Sequence, residues 1–179
     1  MAAPLVLYKS KYGTTRTYAE ALGRALSCPA LSVDNARPQD ISLADTVIIG
    51  GSIRASGLGF ARFVKANAQA LQGKRLVFFA VGASPMPGAG DDTLAQIRKR
   101  GLGKLFPEAP LFYCRGDWDM EGMTFLDRTL CGLLIKSLQK KDVKELAPWQ
   151  KALRDAGTKK TSWYDEKYLA PILAAARAG

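Results

Sequence analysis

The sequence contains no histidine. That absence removes imidazole metal ligands, Ser-His-Asp triads and histidine acid–base chemistry together. Cysteine is sparse: Cys28, Cys114 and Cys131 show no Cys-x-x-Cys spacing. They are expected as reduced thiols, mostly core, in a cytoplasmic protein. No apolar run approaches the roughly 18–20 residues that a membrane-spanning helix needs. The N-terminus has no basic segment followed by a long apolar stretch, so no secretory signal is expected. The Walker pattern Gly-x-x-x-x-Gly-Lys-Ser/Thr is missing, and no Gly-x-Gly-x-x-Gly fingerprint follows the first strand-like run.

Negative charge is also in short supply. Asp and Glu number 16 against 26 Lys and Arg, a net charge of +10. Such a balance favours anionic partners: nucleic acid, a lipid surface or a carboxylate-bearing substrate. No nucleic-acid module and no dense basic block can be read, so no nucleic-acid partner is expected. With 179 residues, 47% of them hydrophobic, the chain is read as one globular domain over 1–179.

The most informative stretch is Ser10-Lys11-Tyr12-Gly13-Thr14-Thr15. It follows the apolar run Pro4–Tyr8 and opens the helix-like segment Arg16–Leu22. A strand, a hydroxyl-rich glycine turn and a helix together make an anion site from backbone N–H groups. The hydroxyls of Ser10, Thr14 and Thr15 add donors without adding charge. The loop suits a phosphate monoester; the competing reading is a polar turn capped by Thr14.

Strand-like runs recur at Leu5–Tyr8, Leu31–Val33, Thr46–Gly50, Leu76–Val81 and Leu111–Cys114. They are continuous rather than alternating, as in parallel strands buried on both faces. Helices are expected between them at Thr15–Leu26, Phe60–Leu71 and Asp92–Arg100. The alternation predicts an α/β fold, a doubly wound parallel sheet with helices on both faces. Residues 118–160 read as a helical insertion after the fifth strand. A closing helix is expected over Tyr168–Ala178, with Pro171 in its first turn. Loops 10–15, 51–59 and 82–91 would meet outside the carboxyl ends of the strands, where such sheets bind ligands. Their glycines let backbone approach a flat ligand closely.

The order of these motifs over residues 4–115 resembles the flavodoxin superfamily, whose phosphate loop reads Ser/Thr-x-Thr-Gly-x-Thr. Tyr12 stands where Thr is usual. The segment Ile48–Arg54, followed by Phe60-x-x-Phe63-Val64-Lys65, looks most like one branch, the menaquinone-dependent protoporphyrinogen oxidases and their flavodoxin-domain relatives. The stretch Trp118–Lys141 resembles that branch's long insertion. The resemblance implies a flavodoxin-like fold of five parallel strands, FMN and redox chemistry. By motif matching, Ser10, Lys11, Tyr12, Gly13, Thr14 and Thr15 would hold the phosphate. Ser52, Ile53, Arg54 and Ala55, with Gly82, Ala83, Ser84 and Pro85, would lie along the flavin ring. Neither of those ring loops carries Trp or Tyr, so Trp118 is the candidate to supply an aromatic ring.

These features lead to an FMN-dependent oxidoreductase, similar to the protoporphyrinogen oxidases. It would pass electrons from an organic substrate to a redox partner, a quinone or a protein. The alternatives are a flavodoxin-type electron carrier with no substrate of its own and an FMN-less interaction domain. A positive environment, including Arg54, would stabilise an anionic reduced flavin and raise its potential. An anionic tetrapyrrole substrate would find Arg54, Arg62, Lys65 or Arg115 for its propionates. No catalytic acid or base is assigned. On a helical projection Leu126, Leu130, Leu133, Leu134 and Leu138 share one face. That face would either pack against the sheet domain or meet anionic lipid, a quinone or a partner. The second reading gives a peripheral contact through 118–141, at the inner face of the membrane.

Overall fold

The structure, a computed structural model, describes residues 3–54, 57–85 and 92–178, without the side chain of Arg54. The expectations for Ala55, for the Arg54 side chain and for residues 86–91 therefore lie outside the described residues.

Five strands form one parallel sheet: β1 (Pro4–Lys9), β2 (Ala30–Ser32), β3 (Thr46–Arg54), β5 (Arg75–Gly82) and β6 (Leu111–Arg115). Their order is β2-β1-β3-β5-β6, and β4 (Gly57–Leu58) pairs antiparallel with the end of β3. The doubly wound α/β architecture expected from the alternating pattern is the one present, with the five parallel strands that the flavodoxin resemblance implies. Strand residues alternate between two cores, as a period of two requires. Leu5, Leu7, Val47, Ile49, Phe78 and Ala80 face one core. Val6, Ile48, Val77, Phe79 and Val81 face the other.

The first core is covered by α2 (Pro38–Ser42), α3 (Ala61–Ala66), α4 (Ala68–Leu71) and α5 (Thr93–Leu102), which bury Ile41, Val64, Leu71, Ile97 and Leu102. The second is covered by α1 (Thr14–Leu26) and α8 (Leu169–Arg177) through Tyr18, Leu22, Leu169 and Ile172. Full burial of each such side chain contributes about 1.5–3 kcal/mol, so the two faces supply most of the driving force. A third, smaller core joins Trp118, Met120, Ile135 and Ala156 under the insertion, which contains α6 (Phe125–Gln139) and α7 (Pro148–Ala156).

Several boundaries differ from expectation. The segment after Gly50 is not a loop at its start. β3 continues through Ser52, which pairs with Val81, and its carbonyl accepts from the Gly59 N–H at 2.9 Å. The helix expected over Phe60–Leu71 breaks at Asn67, whose φ of −109° and ψ of 18° are not helical. The Asn67 side-chain amide donates to the Phe63 carbonyl at 2.9 Å, beside the Asn67 backbone N–H at 3.0 Å. The short α2 was not anticipated. Pro171 does sit in the first turn of α8.

The leucine face of α6 is also distributed differently from simple packing. Ile135 and Leu138 are buried, whereas Leu126, Leu130, Leu133 and Leu134 are exposed. The face therefore does not pack as a whole against the sheet domain. Ile135, absent from the projected stripe, anchors the helix together with Leu138.

Candidate functional site

At the carboxyl edge of the sheet, β1 ends in Lys9 and α1 starts at Thr14, with Gly13 at the helix cap. Gly13 has φ +104°, which L side chains rarely adopt, while the space around its missing Cβ is open. Glycine is needed there for backbone conformation rather than for room. The Gly13 N–H donates to Ser10 Oγ at 3.1 Å and closes the turn. No side chain caps α1 and its first turn carries no acid. The first N–H groups of a helix have no intrahelical partner, so this end keeps its positive dipole available to an anion.

A cleft of about 390 Å³ opens over this loop. Ser10 to Thr15, Ser52, Ile53, Gly82, Ala83 and Trp118 all line it, so the structure brings these predicted residues together. Ser84 instead lines an adjoining hollow of about 140 Å³, with Tyr113 beneath it. Pro85 lines neither among the described residues. The Tyr113 hydroxyl lies 2.8 Å from the Gly82 carbonyl and 2.7 Å from that of Ser84, which fixes the start of this loop.

Trp118 is buried, pinned by an N–H bond to the Gly157 carbonyl at 2.8 Å and by a bridge to Thr161. It forms part of the cleft wall and of the third core at once.

Beyond Trp118, the part of the wall formed by Asp117 and the insertion was missed by sequence reasoning. Asp117, Asp127, Leu130 and Cys131 stand there. Thr124 caps α6 by accepting from the Asp127 N–H at 3.4 Å, which sets Asp127 in the first turn. Its carboxylate accepts from Lys11 Nζ at 2.6 Å and from the Tyr12 hydroxyl. The hydrogen bond to Asp127 raises the Lys11 pKa. Thr14 donates to Asp117 Oδ2 at 3.0 Å, so its hydroxyl is engaged within the protein as well as facing the cleft. Asp117 Oδ1 accepts from Ser162 Oγ and the Trp163 N–H at 2.6 and 3.1 Å. Burial, then Asp127, pushes the Cys131 thiol up and keeps it protonated. A cap signal, Thr-x-x-Asp at 124–127, was legible; its reach back to Lys11 was not.

The cationic surroundings expected from the net charge are not concentrated here. The described charges lining the cleft are Lys11, Asp117 and Asp127. Arg115 lies beside it, its guanidinium 3.9 Å from the centre of the Trp163 ring and 3.4 Å from the Ala83 carbonyl. Arg62 and Lys65 are exposed on α3. Among the described residues no cluster of acidic or sulfur ligands is placed to hold a metal.

The family model for the flavodoxin domain matches residues 5–144, most of the chain. The chain belongs to that family. This flavodoxin-domain protein matches no protein of curated function significantly. Among solved structures it is similar to the WrbA-like flavodoxin from Agrobacterium tumefaciens, at 17% identity and a TM-score of 0.47, covering 99% of both chains. It is also similar to a flavodoxin from the domain Archaea, at 17% identity, TM-score 0.44, covering 72% of this chain and 90% of that one. The two-electron reduced flavodoxin of Megasphaera elsdenii is 17% identical at a TM-score of 0.42, covering 87% of this chain and 98% of that one.

Proposed function

We propose that this flavodoxin-domain protein binds FMN and works as an oxidoreductase. The observation that carries the reading is the uncapped start of α1, with no acid in its own first turn, behind a glycine-turned hydroxyl loop at the floor of a cleft of ligand size. The residues fit the group. Ser10, Thr14, Thr15 and the first N–H groups of α1 would hold the phosphate. Ser52, Ile53, Gly82 and Ala83 offer a narrow wall to a ring, with Trp118 on the insertion side. When bound, FMN supplies hydride and single-electron transfer, so the protein needs no acid–base residue of its own for that exchange. The chain's part is to orient the ligand and exclude water. The buried Trp118 and the Tyr113-anchored start of the 82–85 loop serve both ends.

The finer reading is an enzyme like the protoporphyrinogen oxidases, taking electrons from an anionic tetrapyrrole and passing them to a quinone or a protein. It is supported by the sequence likeness of the insertion and by Arg115 beside the cleft, available to a propionate once it leaves the Trp163 ring. A second reading is an electron carrier with no substrate of its own. It is favoured by the commitment of the cleft carboxylates to Lys11, Tyr12, Thr14 and Ser162.

The absorption spectrum of the purified protein, with mass identification of any released chromophore, tests the flavin reading. A colourless protein that does not quench FMN fluorescence on titration overturns it. Anaerobic mixing of the loaded protein with protoporphyrinogen separates the two readings. An enzyme bleaches its flavin directly and recovers with a soluble quinone; a carrier changes only when a reductase is added.

A further inference from the structure

We propose that the exposed face of α6 seats the protein on an anionic bilayer surface. Phe125 is 85% exposed, Leu126 66%, Leu130 58% and Leu133 60%, with Leu134 at 38%. Scattered single leucines at a surface need no explanation, but five large apolar residues on one 15-residue helix do. At about 100° per residue, Leu133, Leu126, Leu130 and Leu134 occupy one continuous arc. Leu138, at the edge of that arc, and Ile135, on the far side, are buried on the domain. The helix is thus fixed on one side and bare on the other. Among the described residues no helix is long and apolar enough to cross a membrane, so this one would lie in the interface plane.

Charge selects the occupant. Lys136 and Lys140 fall beside Leu133 on the helical projection, and Lys141, Lys144 and Lys151 follow against Asp142 and Glu145. A two-fold dimer through this face would set each lysine group near its own copy, on chains that each carry +10. Anionic headgroups reverse that repulsion. Lysine stems can reach up to the headgroups while the leucines enter the acyl boundary. The face needs no flavin to work, so it goes beyond the redox reading. Leu130 belongs to this face and to the cleft wall, so seating the helix brings the cleft rim to the lipid.

Flotation of the full chain with vesicles tests this. Phosphatidylcholine vesicles containing phosphatidylglycerol should carry the protein upward at low salt. Pure phosphatidylcholine should carry far less, and high salt should release most of it. Leu126→Ser with Leu133→Ser, both away from the cleft lining, should lower partitioning about a hundredfold while circular dichroism and thermal unfolding stay unchanged. Should that pair fail to fold, Lys136→Gln with Lys140→Gln and Lys141→Gln should lower it about tenfold or more at low salt. Protein that stays at the bottom with both vesicle types overturns the proposal. So does a folded leucine variant, or the lysine variant in its place, that floats like the parent. A dimer in sedimentation that the leucine variant dissolves also overturns it, by assigning the face to a second copy.

Discussion

Asp127 holds Lys11. The carboxylate in the first turn of α6 lies 2.6 Å from the ammonium of the phosphate-loop lysine and also accepts from Tyr12, so an acid from the insertion sits over the anion site. A phosphate entering the loop must compete with that carboxylate for Lys11 and approach like charge. Asp127→Asn should therefore tighten FMN binding about 3–10-fold, the scale of one half-exposed charge at short range. Fluorescence titration at two ionic strengths reads it, with the gain shrinking in salt. Unchanged or weaker binding would mean that the pair orders the loop for the ligand instead of blocking it.

The two threonines at the start of α1 should not be equivalent. Thr14 is bonded both ways to Asp117, donating to its carboxylate and accepting from its N–H at 3.3 Å. Thr15 is almost fully buried at the loop and also lines the cleft. Thr14→Ala should cost about 1 kcal/mol of stability, read by urea unfolding. Adding Thr15→Ala should weaken FMN retention by about 1.5–3 kcal/mol, read as the dissociation constant. Full affinity in the double variant would move the phosphate elsewhere.

Gly50 owes its identity to Phe79. A Cβ on Gly50 would lie 1.9 Å from Phe79 Cζ, and that ring is fully buried. Gly50→Ala must push the ring or bend β3 beneath the cleft, a loss of about 2–3 kcal/mol in chemical unfolding. Phe79→Leu in the same chain should recover part of that loss. A variant as stable as the parent would show that the central strands can shift apart freely.

Much of this could be read from the sequence, for physical reasons that particular residues make clear. Continuous apolar runs such as Val47-Ile48-Ile49 are what a strand buried on both faces requires, so the five parallel strands were legible. The phosphate-like loop was legible because Gly13 and its hydroxyl neighbours form one local unit. The extension of β3 past Gly50 was not, because its last pairings depend on Val81 and Gly59 rather than on its own apolar pattern. The break at Asn67 falls within a helical apolar pattern and is marked only by the non-helical φ and ψ of one residue, whose side chain and backbone N–H both reach the Phe63 carbonyl. The outer cleft wall was the least legible part. Asp127 meets Lys11 across 116 positions, and no local pattern encodes a contact of that span. The stripe on α6 was visible by period alone, but period does not say which arc finds a neighbour. Ile135 and Leu138 do; Leu126, Leu130 and Leu133 do not.

Alkaline pH should destabilise the fold through Cys114. Burial pushes this thiol from the ordinary 9.0 up to about 12. An acid whose pKa is raised keeps its proton in the folded chain after the unfolded chain has lost it. Stability is therefore complete below about pH 9 and falls as pH climbs towards 12, by about 1.4 kcal/mol at pH 10. Burial shifts Tyr18 and Tyr113 upward too, and they add to the same slope from about pH 10. Cys114→Val should flatten the fall in melting temperature between pH 8.5 and 10 by that share. An identical pH profile in the variant would show that the thiol is not the group responsible.

Asp117 ties its own segment to two other pieces of chain: Thr14 at the phosphate loop, and Ser162 and Trp163 in the segment leading to α8. Trp163 in turn carries the Arg115 guanidinium on its ring. The carboxylate is exposed, so solvent can replace its partners, and Asp117→Ala should cost only about 1–2 kcal/mol in unfolding. Its local effect should be larger than its global one. The Trp163 N–H loses its acceptor, and its hydrogen-exchange protection should fall by more than that of amides in β1 or β3. Asp117→Asn retains an oxygen for one side of the junction and should fall between the parent and the alanine variant in both measurements. If Trp163 protection is unchanged in Asp117→Ala, the segment is held by its other contacts, the Trp118 and Thr161 bridge and the Asp165 N–H bond to the Tyr18 hydroxyl among them, and the cleft wall does not depend on Asp117.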